Sequence, residues 1–177
     1  MSRGDTCIYT TLDSPIGELL LLGDGEALRG LYMQHGRRPI AIKPAWARSA
    51  EPFAGVAAQL REYFAGERTS FEVPLALEGS PFERRVWQAL QEIPYGQTIS
   101  YGELARGIGQ PSAARAVGLA NGRNPIGVIV PCHRVIGADG SLTGYGGGVE
   151  RKRLLLELES GQSRLQPEPG RSPASCS

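Results

Sequence analysis

Two capping boxes, twenty residues apart, determine where helices begin in the middle of this chain. In Ser80-Pro81-Phe82-Glu83 and in Ser100-Tyr101-Gly102-Glu103, a serine is followed three residues later by a glutamate. In this pattern each of the two side chains satisfies a backbone N–H group at the start of a helix. The first helix is predicted to end before Pro94 and the second to run through Ile108. The 177-residue chain therefore cannot be all β.

The first third of the chain has the composition of β-strands. Three segments rich in Ile, Leu, Tyr and Thr are separated by glycine-containing turns: residues 7–12, 18–22 and 27–33. They predict a three-stranded meander. Residues 35–52 contain three prolines and are predicted to be a loop. Apolar residues spaced three and four apart over residues 53–64 predict a helix. Residues 71–77 predict an edge strand, because Pro74 removes a backbone donor.

A tight turn and a third short helix are predicted after the second capping box. The turn is Gly109-Gln110-Pro111, and Ser112 is predicted to cap a helix over residues 113–120. Two short helices joined by a glycine-containing turn are typical of a helix-turn-helix unit, whose second helix enters DNA. This helix carries small residues and a single Arg115, so it offers few groups that read bases. From the spacing alone, an ordinary helical hairpin packed on a core is the alternative.

The last part of the chain contains an apolar run, a glycine-rich loop and a final helix. The apolar run, residues 126–130, predicts a buried strand, and residues 137–148 contain six glycines. Residues 149–159 predict the helix, and residues 161–177 are rich in Pro, Ser and Gly, which predicts a disordered tail. We therefore expect one domain over residues 1–79 and a second over residues 80–160.

Composition and charge exclude several classes of protein. The chain is 41% hydrophobic and 21% charged, and no apolar run approaches the roughly 18 residues of a membrane helix. The three cysteines and the absence of a signal-peptide pattern favour a reducing cytoplasm. Residues 81–153 carry nine Lys/Arg and five Asp/Glu, a net +4, against +1 for the whole chain. This excess is too small to indicate polyanion binding by itself.

Cys132 and His133 are adjacent in the sequence and could form a nucleophile with its base. His133 is the better base of the two histidines, because His35 lies in the predicted loop. Neighbouring residues of a strand point to opposite faces, so a turn or a bridging water is needed to bring the two side chains together. From the pair alone, a small buried cysteine and a core histidine are the alternative.

The segment Pro131-Cys132-His133-Arg134-Val135 resembles the active-site motif of the O6-alkylguanine-DNA alkyltransferases. Five further segments resemble the bacterial branch of that family in the same order and spacing: residues 93–96, 100–105, 113–118, 121–125 and 142–148. The resemblance is strong over residues 80–159, and residues 12–17 are similar but less diagnostic.

The resemblance implies an α+β fold. The N-terminal domain is expected to be a small, ribonuclease-H-like unit built from a β-meander and a helix. The C-terminal domain is expected to be mainly α, with a winged-helix-like helix-turn-helix. The implied activity is DNA repair by a methylated-DNA–protein-cysteine S-methyltransferase. The alkyl group of O6-alkylguanine or O4-alkylthymine in double-stranded DNA passes irreversibly to Cys132, after the base flips out through the minor groove. The resemblance implies a monomer without cofactor, metal or membrane contact.

The resemblance also implies a role for individual residues. The catalytic group is Cys132 as nucleophile, His133 as base through a water, Glu159 orienting that histidine, and Asn124 bracing the turn. The DNA-binding group is Tyr101, Arg115, Ala114, Gly118, Asn121 and Arg123. In that group Arg115 fills the space left by the flipped base, and Tyr101 turns the nucleotide out. The base pocket is Val135, Tyr145, Gly146 and Gly147, and Arg134 is expected to be structural.

Two other classes of protein remain as alternatives. One is a non-catalytic binder of alkylated bases, which carries another residue at the position of Cys132. The other is a helix-turn-helix regulator in which Cys132 belongs to the core. Two positions depart from patterns found elsewhere in the family. Cys7 lacks the second cysteine and the histidine pair of a structural zinc site, and Gly146 stands where other branches carry serine.

Overall fold

The computed structural model describes residues 7–34, 36, 39–142 and 144–161, and the structural statements below refer to these residues. The predicted tail beyond Gly161, which includes Cys176, lies outside the described residues, as does His35.

The N-terminal part contains a four-stranded sheet. The predicted meander is confirmed as antiparallel strands β1 (Ile8–Leu12), β2 (Leu19–Gly23) and β3 (Leu28–Met33). A two-residue strand, β4 (Ala47–Arg48), pairs in parallel with β1, so the order across the sheet is β3-β2-β1-β4. Every residue of β2 is buried, as its uninterrupted run of leucines predicts for a strand covered on both faces.

Helix α1 (Ala54–Phe64) follows the sheet and buries Val56, Leu60, Tyr63 and Phe64. This confirms the helix predicted from the spacing of apolar residues. The edge strand predicted over residues 71–77 is wrong except for a single bridge, in which Leu75 pairs with Leu28. Pro74, within this segment, has no N–H group with which to extend the pairing.

The C-terminal part begins with the two helices that the capping boxes predicted. Both boxes form, at Ser80 before α2 (Pro81–Leu90) and at Ser100 before α3 (Tyr101–Gly107). Helix α4 (Ala114–Gly122) follows, and Ala113 rather than Ser112 stands at its N-cap without a side-chain cap, so the predicted cap is wrong. Trp87 Nε1 of α2 donates to the carbonyl of Ala120 at 2.8 Å, which fixes α4 against α2.

Residues 126–130 form turns rather than the predicted strand, apart from a single bridge between Ile126 and Leu31, and they bury Ile126, Val128 and Val130. They lead into a short 3-10 turn, Cys132–Arg134, and a two-residue strand β6 (Val135–Ile136). Strand β6 pairs in parallel with β5 (Ile99–Ser100), so the segment after Cys132 lies beside the start of α3. Helix α5 (Val149–Glu159) has the predicted bounds.

One hydrophobic core contains residues from both parts of the chain, including Leu31 of β3, Tyr63 of α1, Trp87 of α2 and Leu155 of α5. Together with the sheet and the helices, this core confirms the predicted α+β class. No helix in the described part of the chain is long and apolar enough to cross a membrane.

Candidate active site

Cys132 lies at the start of the 3-10 turn, after a constrained segment. Val128 has a φ of 68°, the only positive φ among the described residues other than glycine. Such a conformation is strained for a β-branched residue and persists only where its surroundings impose it. Asn124 supplies part of that constraint: its Nδ2 donates to the carbonyl of Val130 at 2.7 Å, and its Oδ1 accepts from the N–H of Ile126 at 2.9 Å. The predicted bracing residue therefore does span the segment before Cys132.

His133 is completely buried, and Glu159 at the end of α5 lies beside it. The Nε2 atom of His133 lies 2.7 Å from Oε2 of Glu159. Because a carboxylate accepts, we assign the ring proton to Nε2, which leaves Nδ1 as the acceptor nitrogen. Nδ1 is buried and has no hydrogen-bond partner among the described residues. No direct hydrogen bond joins the side chains of Cys132 and His133 within the described residues.

Two further side chains bind Glu159. Arg134 Nε lies 2.7 Å from Oε1 and Nη2 lies 3.0 Å from Oε2, while Nη1 donates to the carbonyl of Ile93 at 2.6 Å. The Tyr63 hydroxyl donates to Oε2 at 2.5 Å. Burial opposes ionisation of Glu159, but the hydrogen bonds from His133, Arg134 and Tyr63 outweigh it and hold the pKa well below its usual range. Arg134 is structural in the sense that it secures this carboxylate.

The protonation states of the site follow from burial. Burial lowers the pKa of His133, although Glu159 acts in the opposite direction, so the imidazole is neutral near pH 7. Burial raises the pKa of the Cys132 thiol, and Asn124 and the charge of Lys152 counteract only part of this rise. Burial also lowers the pKa of Lys152 to about 8. A protonated thiol and a neutral imidazole are therefore the resting forms at neutral pH.

A cavity of about 270 Å³ opens onto Cys132. Asn121, Tyr145, Gly146 and Gly147 line it, as does the backbone segment 122–124. The hydroxyl of Tyr145 and Oδ1 of Asn121, in two residues of this lining, are buried without a hydrogen-bond partner among the described residues. The lining contains Tyr145, Gly146 and Gly147 of the predicted pocket. It does not include Val135, whose N–H donates to the carbonyl of Cys132.

The predicted DNA-binding residues lie on α3, on α4 and just after α4. Tyr101 is the first residue of α3 and faces Gly118, where an added Cβ would lie 3.7 Å from the tyrosine ring. Arg115 is exposed on α4, and Arg123 is exposed with an Nη1 atom 3.8 Å from Glu83 Oε2. Ala114 is half-buried. Asn121 is buried and donates to the carbonyl of Cys132 at 3.4 Å, so it links α4 to the cysteine turn.

Sequence reasoning missed two residues of the site. Tyr63 lies in α1, and nothing in its local sequence indicates contact with Glu159, which is 96 residues away. Lys152 is completely buried, and its Nζ lies 6.0 Å from the centroid of the Tyr101 ring. The sequence did place Lys152, Leu155 and Glu159 at helical spacing, but their burial on one face is seen only in the structure.

No group of three or more His, Cys, Asp or Glu side chains in the described part of the chain is arranged to hold a metal ion. These features define a class: two-part α+β proteins in which a buried cysteine with an adjacent imidazole lies beside a helix-turn-helix.

Known proteins place the chain more narrowly. Residues 81–161 match the family model for the 6-O-methylguanine DNA methyltransferase DNA binding domain, and residues 7–77 match the model for its ribonuclease-like domain. The chain therefore belongs to the 6-O-methylguanine DNA methyltransferase family, which confirms the resemblance found in the sequence.

Individual relatives match over most of their length. A methylated-DNA–protein-cysteine methyltransferase from Mycobacterium tuberculosis is 57% identical over 156 residues, 88% of this chain and 93% of that protein. One from Methanosarcina acetivorans is 54% identical over 151 residues, 85% of this chain and 97% of that protein. The crystal structure of Mycobacterium tuberculosis OGT in complex with DNA superposes with a TM-score of 0.82 at 56% identity, covering 88% of this chain and 94% of that chain.

Proposed function

We propose that this protein repairs O6-alkylguanine, and O4-alkylthymine, in double-stranded DNA by transferring the alkyl group to Sγ of Cys132. The observation that carries the proposal is a buried cysteine at the cavity, within a Cys132-His133-Glu159 arrangement, whose carbonyl accepts a hydrogen bond from Asn121 of α4. The relatives named as methylated-DNA–protein-cysteine methyltransferases support it.

The reaction is a single displacement. Neutral His133 accepts the thiol proton at Nδ1, through a bridging water because no direct hydrogen bond joins it to Cys132. Glu159 stabilises the imidazolium that results. The thiolate attacks the alkyl carbon, the S–C bond forms, and the C–O6 bond breaks with its electron pair on the guanine oxygen. The released guanine takes up one proton at N1, which balances the proton that the thiol lost. A thiolate is a poor leaving group from the uncharged thioether, so the step is not reversed and each molecule acts once.

DNA binding is assigned to residues 80–160. A base can reach a buried thiol only after it leaves the duplex stack. Helix α4 has short side chains at Ala114, Ala116 and Gly118, which suits a close approach to the minor groove without reading the sequence. Arg115 fills the space that the base vacates, and Tyr101 presses against the phosphate of the flipped nucleotide. The unsatisfied hydroxyl of Tyr145 and Oδ1 of Asn121 provide hydrogen bonds for the polar edge of a flipped base.

The proposal also covers the setting of the reaction. A thiol that must stay reduced suits the cytoplasm, and the sparse, odd number of cysteines in the sequence supports that compartment. We propose that the protein acts there as a monomer on double-stranded DNA.

The test is mass spectrometry after mixing the protein with a duplex that contains O6-methylguanine. We expect the protein to gain the mass of one methylene group, and peptide mapping to place it on Cys132. Cys132→Ala should abolish the gain, while Cys7→Ala, at the other described cysteine, should keep it. Binding without a mass gain would indicate the non-catalytic class, and methyl transfer by Cys132→Ala would overturn the assignment.

A further inference from the structure

The cavity at Cys132 has a second wall, which the N-terminal part of the chain supplies. Leu31, Tyr32 and Met33 at the end of β3 line it, together with Ile40 from the segment that follows. All four residues present mainly apolar atoms. Asn121 and Tyr145, which line the cavity from the C-terminal part, each have a buried polar atom without a hydrogen-bond partner among the described residues.

This second wall is packed directly on the glycine-rich loop. A Cβ atom added at Gly147 would overlap Sδ of Met33, and one added at Gly36 would lie 2.9 Å from the carbonyl oxygen of Gly146. At Gly36 the obstacle is backbone, so a larger residue would push the two segments apart, whereas at Gly147 the side chains of Met33 and Tyr145 would have to move. The contact holds the segment after β3 close to the glycine-rich loop, beside the cavity.

Ile40 is held in this wall by the side chain of Gln34. The amide Nε2 of Gln34 donates to the carbonyl of Ile40 at 3.1 Å, and its Oε1 accepts from the N–H of Ile40 at 3.2 Å. The backbone N–H of Gln34 in turn donates to the carbonyl of Glu18 at 3.0 Å. One side chain thus satisfies both backbone groups of Ile40 and ties them to the end of the sheet.

We propose that Ile40, held by Gln34, limits the size of the alkyl group that can reach Cys132. This inference rests on the proposed function. The alkyl carbon has to reach Sγ of Cys132, and Cys132 lines the same cavity as Leu31, Met33 and Ile40. The O6 substituent therefore enters a space that these apolar side chains help to bound. An apolar pocket discriminates a single methylene by roughly 10- to 200-fold, so one isoleucine side chain is sufficient to set the limit.

The experiment compares two lesions in one duplex sequence, O6-methylguanine and O6-benzylguanine, by single-turnover alkylation of Cys132. We expect Ile40→Ala to raise the ratio of the benzyl rate to the methyl rate by about tenfold or more. Ile40→Phe should lower the same ratio. Gln34→Ala, which frees Ile40 without truncating it, should raise the ratio less. Ile42→Ala removes the same atoms from an exposed isoleucine two residues away and should leave the ratio unchanged.

An unchanged ratio in both Ile40→Ala and Ile40→Phe would overturn the inference, as would an equal loss of both rates in the two variants. Ile40→Phe keeps the argument testable if the alanine variant folds poorly, because the two substitutions predict opposite signs. A wild-type protein that fails to take a methyl group on Cys132 would instead overturn the proposed function, so the two failures are distinguishable.

Discussion

His133 has one ring nitrogen bound to Glu159 and the other without a partner among the described residues. Burial keeps the imidazole neutral near pH 7, and burial also raises the pKa of the Cys132 thiol. The residue that must lose a proton therefore holds it more tightly than a free cysteine, whose pKa is about 8.5. A base close to the thiol is needed for reaction at neutral pH, and His133 is the neutral base at hand.

Replacement of His133 by alanine should slow alkyl transfer on the order of 10²-fold at pH 7, the lower range for loss of a general base. The defect should shrink by up to about tenfold per pH unit towards pH 9, because solvent then ionises the thiol unaided. Single-turnover rates of the variant and the wild type, compared at each pH, measure this. Lys152 loses its charge across the same range in both proteins, since its pKa is about 8.

His35→Ala is the matched control, because it removes the only other histidine in the sequence. Its rates should follow the wild type at every pH. DNA affinity should be unchanged in His133→Ala, since His133 is buried and contacts no phosphate in the proposal. A defect of His133→Ala that is as large at pH 9 as at pH 7 would mean that His133 positions the cysteine turn and does not ionise Cys132.

At the scale of elements, local chemistry predicted most of the structure. The capping boxes at Ser80 and Ser100 located the starts of α2 and α3, because the side chain and backbone groups involved lie within four residues. Residues 126–130 were predicted wrongly as a strand. A short apolar run indicates burial but does not show whether the backbone forms a strand or turns. The positive φ of Val128 depends instead on contacts such as those of Asn124, which spans this segment. The pairing of β5 with β6 involves two residues per strand, too few to leave a pattern.

Helix α4 has a surface of short side chains from which Arg115 projects into solvent. In the proposed function Arg115 maintains the flipped state of the base, and unstacking a base costs a few kcal/mol. We expect Arg115→Ala to lower the rate on O6-methylguanine in a duplex by on the order of 10²-fold. Its reaction with free O6-benzylguanine, which requires no flipping, should change much less. Alkylation of Cys132 by the two substrates, followed by mass spectrometry, provides the comparison.

Arg106→Ala serves as the control, because Arg106 is an exposed arginine in the last turn of the neighbouring helix α3. It removes one positive charge, as Arg115→Ala does, and so corrects for the general loss of attraction to phosphates. Equal losses of Arg115→Ala on duplex and free base would indicate a structural role for Arg115.

At the scale of the whole molecule, the two parts of the chain meet at Glu159. Its carboxylate binds Tyr63 of α1 as well as His133 and Arg134 of the cysteine turn. The resemblance to the alkyltransferases predicted Cys132, His133, Asn124 and Glu159 as a group. It could not predict Tyr63, since that contact depends on how α1 packs against the C-terminal part and not on any local pattern.

This cluster makes stability dependent on pH in a direction that can be derived. The pKa of Glu159 is lower in the folded state than its value of about 4.3 in an unfolded chain, so its contribution is present above that value and is lost as pH falls. The pKa of His133 is also lowered, from about 6.5, so the unfolded chain binds its proton first. His133 therefore destabilises the fold as pH falls below about 6.5, and the loss of the Glu159 contribution adds to this below about 4.3.

Glu159→Gln should separate the two contributions. At pH 7 we expect the free energy of unfolding to fall by about 3–5 kcal/mol, because the buried guanidinium of Arg134 loses its counter-charge. Below roughly pH 4 the difference from the wild type should narrow by up to about 1.4 kcal/mol per pH unit, since protonation of the unfolded wild-type chain then removes the advantage of the carboxylate. Denaturant unfolding at a series of pH values measures both effects.

Glu92→Gln, at an exposed glutamate, is the control, and its free energy of unfolding should differ from that of the wild type by less than about 0.5 kcal/mol. A difference for Glu159→Gln that stays constant from pH 7 to pH 3 would show that Glu159 stabilises the fold by shape alone and not by its charge.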